Sequence, residues 1–148
     1  MREAKRVDAF YITERWVGGL LTNFGSVKKN IEKLEELEQK VKDKEFEHYT
    51  KKEHLLIERE IAKLDRQIGG LKGMKVLPGV LVLASARGED TAAREARQKE
   101  IPVVAIADTN ADPDLVDYVI PGNDDSTSSV ELIIKTLADA VELGRKSK

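Results

Sequence analysis

The sequence predicts an α/β protein: a parallel sheet with flanking helices, joined to an antiparallel pair of long charged helices. Three observations predict it. Val80-Leu81-Val82-Leu83-Ala84 and Val103-Val104-Ala105-Ile106-Ala107 are unbroken apolar runs of strand length, the pattern of strands covered on both faces. Each run is followed by a helical pattern or by a short further strand and then a helix, which is the order that builds parallel sheets. Between residues 26 and 71 the apolar residues step by threes and fours through Lys, Glu, Arg, Asp and Gln, so each set lies on one stripe of a wet helix.

In chain order, Arg2 to Arg6 reads as the last turn of a helix. Phe10-Tyr11-Ile12-Thr13 is rich in β-formers and predicts a short strand. In Arg15 to Phe24 the pair Gly18-Gly19 marks tight backbone. Trp16, Leu20, Leu21 and Phe24 read as buried, the seat where the helical pair joins the body. Asn23 and Ser26 are candidate N-caps. The first long helix carries Val27, Ile31, Leu34, Leu37 and Val41. Thr50 and Glu53 have the spacing of a capping box, and the second helix then carries Ile57, Ile61, Leu64, Ile68 and Leu71. Gly69, Gly70 and Gly73 end it. The hairpin, residues 26–72, is an insertion into an α/β domain of residues 1–25 and 73–148. It sits between the strand at Phe10 and the strand at Val80. Asp90 caps a helix through Ala92, Ala93 and Ala96. Val116 to Ile120 is a short last strand. Asp124, Asp125 or Ser126 caps a closing helix that buries Val130, Ile133, Ile134, Leu137, Val141 and Leu132, and Gly144 ends it. The sheet is of the flavodoxin-like or Rossmann-like kind.

Composition narrows the function. With 41% hydrophobic and 35% charged residues among 148, this is one domain's worth of chain with a heavily charged surface. No apolar run approaches the ~20 residues of a membrane span, and the charged start MREAKRVDAF has no signal-peptide core. The absence of cysteine excludes disulfide and thiolate chemistry, and the simplest compartment is the cytoplasm. Net charge is −2, but residues 1–75 hold 17 Lys/Arg against 14 Asp/Glu while residues 76–148 hold 8 against 13. Contact with a polyanion is therefore expected from the first half or from the basic end of the chain. The cations in position for it are Arg15, Lys28, Lys29, Lys51, Lys52, Arg59, Arg66, Lys72 and Lys75, with Arg145, Lys146 and Lys148 at the tail.

Polar loops lie at the expected carboxyl ends of the strands, where open parallel sheets bind ligands: Ser85 to Gly88, Asp108-Thr109-Asn110 and Gly122 to Asp125. No phosphate-cradling glycine loop and no nucleophile elbow accompanies them. His48 and His54 are too far apart to share a helical face, and both read as surface residues. Asp108, Asp112, Asp114, Asp117, Asp124 and Asp125 lack the spacing of a calcium loop; turn and cap chemistry accounts for them. No catalytic residue, metal site, cofactor or small-molecule substrate is assigned.

Three stretches together resemble the universal small-subunit ribosomal protein S-two family, of bacterial type: RWVGGLLTNF, YTKKEHLLIEREIAKLDRQIGGLKGM and IPVVAIADTNADPDLVDYVIPGNDDS. The resemblance covers nearly the whole chain. It implies a parallel α/β sheet with a projecting coiled-coil hairpin, and a structural, non-enzymatic role in translation. The implied partners are small-subunit rRNA and neighbouring ribosomal proteins, the large mRNA-binding one among them. The implied location is the ribosome, on the solvent side of the small subunit between head and body. Carried over by position, Arg15, Trp16, Leu21, Thr22 and Asn23, with Phe24 beside them, fix the hairpin to the body, and the basic residues above meet rRNA phosphates. The chain departs from the family at Ala84-Ser85 and Gly79. It also lacks the two strands and a helix with which the family's domain begins, so it is N-terminally shortened and its sheet incomplete. An exposed apolar sheet edge is therefore expected, as is stability only on rRNA, with a partner, or with a rearranged sheet. Two other readings stand beside this one: a small α/β enzyme or ligand-binding domain using the Asp108, Asn110 and Asp124 loops, and a helical-hairpin adaptor that binds protein only.

Overall fold

The computed structural model describes residues 1–46 and 48–147; Lys148, one of the expected rRNA contacts, lies outside them. Three strands form the sheet among the described residues, β1 (Leu81–Leu83), β2 (Val103–Ala107) and β3 (Tyr118–Pro121), all parallel in the order β1-β2-β3. Leu81 lies opposite Val103 and Ala105 opposite Val119. Among the described residues there are five α-helices: α1 (Arg2–Arg6), α2 (Phe24–Lys42), α3 (Lys51–Ile68), α4 (Asp90–Gln98) and α5 (Thr127–Lys146). The α/β class and the parallel sheet are thus as the sequence predicts.

Two cores exist. In the first, Ala92, Ala93 and Ala96 of α4 are fully buried against Leu83, Val103 and Ala105 of the sheet and against Leu21. Small residues on that helical stripe let the backbone of α4 come close to the strands. In the second, Val27, Ile31 and Leu34 of α2 meet Ile68, Leu71 and Met74, with Ile61 and Leu64 alongside and Leu20 closing the base. The capping box is present: Glu53 N–H donates to Thr50 Oγ1 and Thr50 N–H to the Glu53 carboxylate.

Several expectations are corrected. Phe10 to Thr13 is not a strand. Tyr11 N–H donates to Gly70 O at 3.1 Å, and Ile12 packs into the second core. Tyr11 and Ile12 thus find their partners around and just beyond the end of α3 while Phe10 stays exposed, so the helical pair precedes every observed strand. Of the two cap candidates for the first long helix it is Asn23 that precedes it, and Asp90 lies inside α4 with Glu89 at the cap. The α5 helix runs through Gly144 to Lys146. Its last turn is held because the Arg145 guanidinium donates to the carbonyls of Val7 and Asp8, while Arg6 of α1 reaches Asp139 and Glu142.

The largest correction is burial. Only Ala138 of α5 is buried, and Leu132 keeps 67% of its surface exposed. Val82, expected to be covered, is 42% exposed. The α4 helix covers one face of the sheet; α5 touches the other face near Ile106 and Gly122 and leaves Val82 bare. An open edge is present as expected: among the described residues β1 is terminal in the sheet, and Val80 just before it is exposed.

Candidate nucleic-acid interface

The residues around the base of α2 and α3 are gathered by one carboxylate. Glu95 of α4 is 7% exposed. Its Oε1 accepts from Trp16 Nε1 at 3.1 Å and Gly19 N at 2.6 Å, and its Oε2 from Leu21 N, Thr22 N and Thr22 Oγ1, each at 3.0 Å. Burial pushes this carboxyl up. The hydrogen bonds from Thr22, Gly19, Trp16 and Leu21 outweigh that and bring its pKa from 4.5 to about 2. The turn that offers so many N–H groups to one acceptor requires a left-handed residue, and Gly19 supplies it at φ +93°.

This is where the expected anchor residues lie. Trp16 packs into both cores, Leu21 into the first and Phe24 against the second. Thr22 binds Glu95, and Asn23 O accepts from Ser26 N and Val27 N at the first turn of α2. Sequence reasoning missed Glu95. Its signal was an acid on the small-residue stripe of Ala92, Ala93 and Ala96, a charge on the one helical face that must be buried.

The two long helices meet along the part of the predicted stripes nearest the base, Val27, Ile31 and Leu34 against Ile61, Leu64 and Ile68, while Leu37, Val41 and Ile57 lie outside this core; Lys33 of α2 pairs with Glu60 of α3. The seam is sealed only at the base, where Leu20, Leu71 and Met74 add a third wall. Val41, Leu55 and Leu56, toward the connection, are exposed.

The candidate cations divide by partner. Lys72 reaches both Glu38 and Asp65 at 2.7 Å. Burial presses its pKa down, and the two carboxylates more than offset this and raise it. Arg145 is committed to α1, Lys146 pairs with Glu142, and Lys28 lies 3.9 Å from Glu32. Among the described residues, Arg15, Lys29, Lys51, Lys52, Arg59, Arg66 and Lys75 have no acidic side chain within salt-bridge distance. They are exposed.

The strand-end loops are fastened internally. Asp124 accepts from Ser85 Oγ at 2.6 Å, Asp117 from Val103 N, Asp108 from Thr109 N and Asp112 from Asp114 N. Asp108 and Asp112 thus serve local turns, as the sequence suggested, whereas Asp124 and Asp117 make longer-range ties, the first between two strand-end loops and the second to the start of β2. His48 is exposed and His54 half-buried. No helix among the described residues is long and apolar enough to cross a membrane.

The arrangement is that of an α/β protein whose helical pair, bearing cations without acidic partners among the described residues, is tied at its base to the sheet-bearing part through Glu95. The chain belongs to the ribosomal protein S2 family, whose description matches residues 1–144. It is 48% identical over 146 residues to small ribosomal subunit protein uS2 of Geotalea uraniireducens (strain Rf4), covering 99% of this chain and 57% of that one. It is 44% identical over 146 residues to uS2 of Petrotoga mobilis (strain DSM 10674 / SJ95), covering 99% and 51%. With uS2c of Phaeodactylum tricornutum (strain CCAP 1055/1) the identity is 47% over 144 residues, covering 97% and 64%. The chain therefore spans between half and two-thirds of the length of these relatives.

Proposed function

We propose that this chain is a structural constituent of the small ribosomal subunit, one that binds rRNA and neighbouring ribosomal proteins, acts in translation on the ribosome, and carries out no reaction. Family membership over residues 1–144 carries the reading, and the distribution of unopposed cations supports it. Lys51, Lys52 and Arg59 on α3, with Lys29 on α2, contact phosphates; Arg15, Arg66 and Lys75 do so at the base. Such contacts position a protein on folded RNA without reading its sequence. In this proposal residues 26–72 form a two-helix coiled coil projecting from a flavodoxin-like domain of residues 1–25 and 73–148. Trp16, Leu21, Thr22, Asn23 and Phe24 hold its base to that domain. The exposed apolar residues toward the connection face a protein neighbour, the large mRNA-binding one in the family's pattern. The enzyme alternative draws no support from the Asp108 and Asp124 carboxylates, which accept from Thr109 N and from Ser85 Oγ.

Co-sedimentation with small subunits, and affinity for small-subunit rRNA as a function of salt, test the reading. Log affinity falls linearly with log salt, and the joint change Lys51→Glu and Lys52→Glu reduces the slope by roughly 0.9 for each duplex phosphate that is no longer neutralised. Affinity indifferent to salt, or no association with small subunits, overturns it.

A further inference from the structure

Two cavities lie side by side against the last turns of α3. The first, about 360 Å³, is lined by Lys5, Tyr11, Arg66 and Gln67 among others. The second, about 420 Å³, is lined by Arg15, Trp16, Arg66 and Gln67 among others. Arg66 and Gln67 wall both, so the two hollows adjoin at these residues, and we treat them together as a trough between the N-terminal segment and α3. Lys5, Arg15 and Arg66 face no acidic partner among the described residues. Of the two acids in the walls, Asp65 is held by Lys72 at 2.7 Å, which leaves Glu14 alone against three cations.

Each half of the trough also has a ring. Tyr11 is half-buried, with Lys5 Nζ 5.7 Å from its ring centroid. Trp16 is half-buried, and its indole N–H is already donated to Glu95, so its ring offers surface rather than a donor. Gln67 between them offers both an amide donor and an acceptor.

The geometry points to a seat for unpaired RNA, with one base against Tyr11, the next toward Trp16, and the linking phosphate on Arg66. This rests on the RNA-binding reading above and deepens it. Cavities of a few hundred Å³ are of small-molecule scale; a splayed nucleotide enters one, whereas a stacked A-form helix presents only its outer phosphates. Paired rings with cations between them are how proteins hold single strands, with little preference for sequence. The trough thus differs in kind from the exposed Lys29, Lys51, Lys52 and Arg59, which suit duplex phosphates.

The chain's one tryptophan, Trp16, reports on the trough directly. Titrating the full chain with a short oligouridylate is expected to change Trp16 fluorescence, and a blunt RNA duplex of equal charge is expected not to. Tyr11→Leu weakens oligouridylate binding by roughly 5- to 150-fold, the range expected for removing one base stack. Tyr11→Phe, which keeps the ring, restores it. Arg66→Glu weakens it while leaving the unfolding midpoint in urea near that of the unaltered chain. The joint change Lys51→Glu and Lys52→Glu weakens binding to small-subunit rRNA but not to the oligonucleotide. Equal Trp16 response to duplex and single strand, or oligouridylate affinity indifferent to Tyr11→Leu and Arg66→Glu, overturns the trough as a single-strand seat. If salt-dependent rRNA binding persists in that case, the trough alone falls; if rRNA binding is also absent, the ribosomal reading falls with it.

Discussion

The change Glu95→Gln isolates the clamp at the base of the helical pair. Glutamine has the shape of a protonated glutamic acid, so the variant imitates the folded chain with this one carboxyl neutralised. The five donors that converge on Glu95 leave no place for an amide NH₂, which must face either Gly19 N–H and the indole N–H or the donors of Leu21 and Thr22. A carboxyl moved from 4.5 to about 2 stabilises the folded state by about 3 kcal/mol at neutral pH. Against a typical total of roughly 5–15 kcal/mol, Glu95→Gln is expected to remain folded with a much lower urea midpoint. The sign follows from the depressed value. The unfolded chain binds this proton near pH 4.5 and the folded chain only near 2, so the contribution is complete above the first value and disappears as the pH falls to the second. Urea unfolding of both proteins, followed by circular dichroism and Trp16 fluorescence at pH 7, 4.5, 3 and about 2, measures the gap directly. Other acids titrate in both proteins and cancel in the difference. The gap is expected to be about 3 kcal/mol at pH 7 and to shrink toward zero near the acid end. A gap under about 0.5 kcal/mol at pH 7, the scale of an ordinary surface change, or one that does not narrow in acid, refutes the clamp.

Other consequences of the packing can be measured with the same protein. Gly70→Ala drives a Cβ into Tyr11 O and places it 2.8 Å from the ring, so it should cost about 1–3 kcal/mol and lower the thermal and urea midpoints; an unchanged midpoint contradicts the close approach. Thr50→Ala removes the side-chain half of the capping box and should cost about 1 kcal/mol, with faster amide exchange in the first turn of α3 and recovery in Thr50→Ser. Arg6→Gln breaks the contacts to Asp139 and Glu142. Amide exchange in α1 should quicken while the exchange of β2 stays as it was, and a global change in exchange argues that α1 is more than a peripheral tie.

Much of this was legible before folding. The stripe Val27, Ile31, Leu34 and its counterpart Ile61, Leu64, Ile68 meet as periodicity requires, and the capping box at Thr50 is local chemistry readable from four residues. The runs at Val80 and Val103 yielded β1 and β2, the former shortened to Leu81–Leu83. Phe10 to Thr13 misled because β-propensity describes a side chain that suits a half-buried surface, and the end of α3 supplies such a surface as readily as a neighbouring strand does. Gly144 misled because a distant contact, Arg145 to the carbonyls after α1, holds the last turn beyond it.

The sequence alone determined the long helices, the three observed strands, the class of fold and the uneven placement of charge, because all of these follow from spacing along the chain. Only the tertiary structure decided which cations remain unopposed, that Glu95 draws Trp16, Gly19, Leu21 and Thr22 into one clamp, and that Val82 and Leu132 stay exposed. Each of these depends on what stands opposite a residue in space. Glu95 and Gly19 are separated by 76 positions, and no local pattern spans that distance.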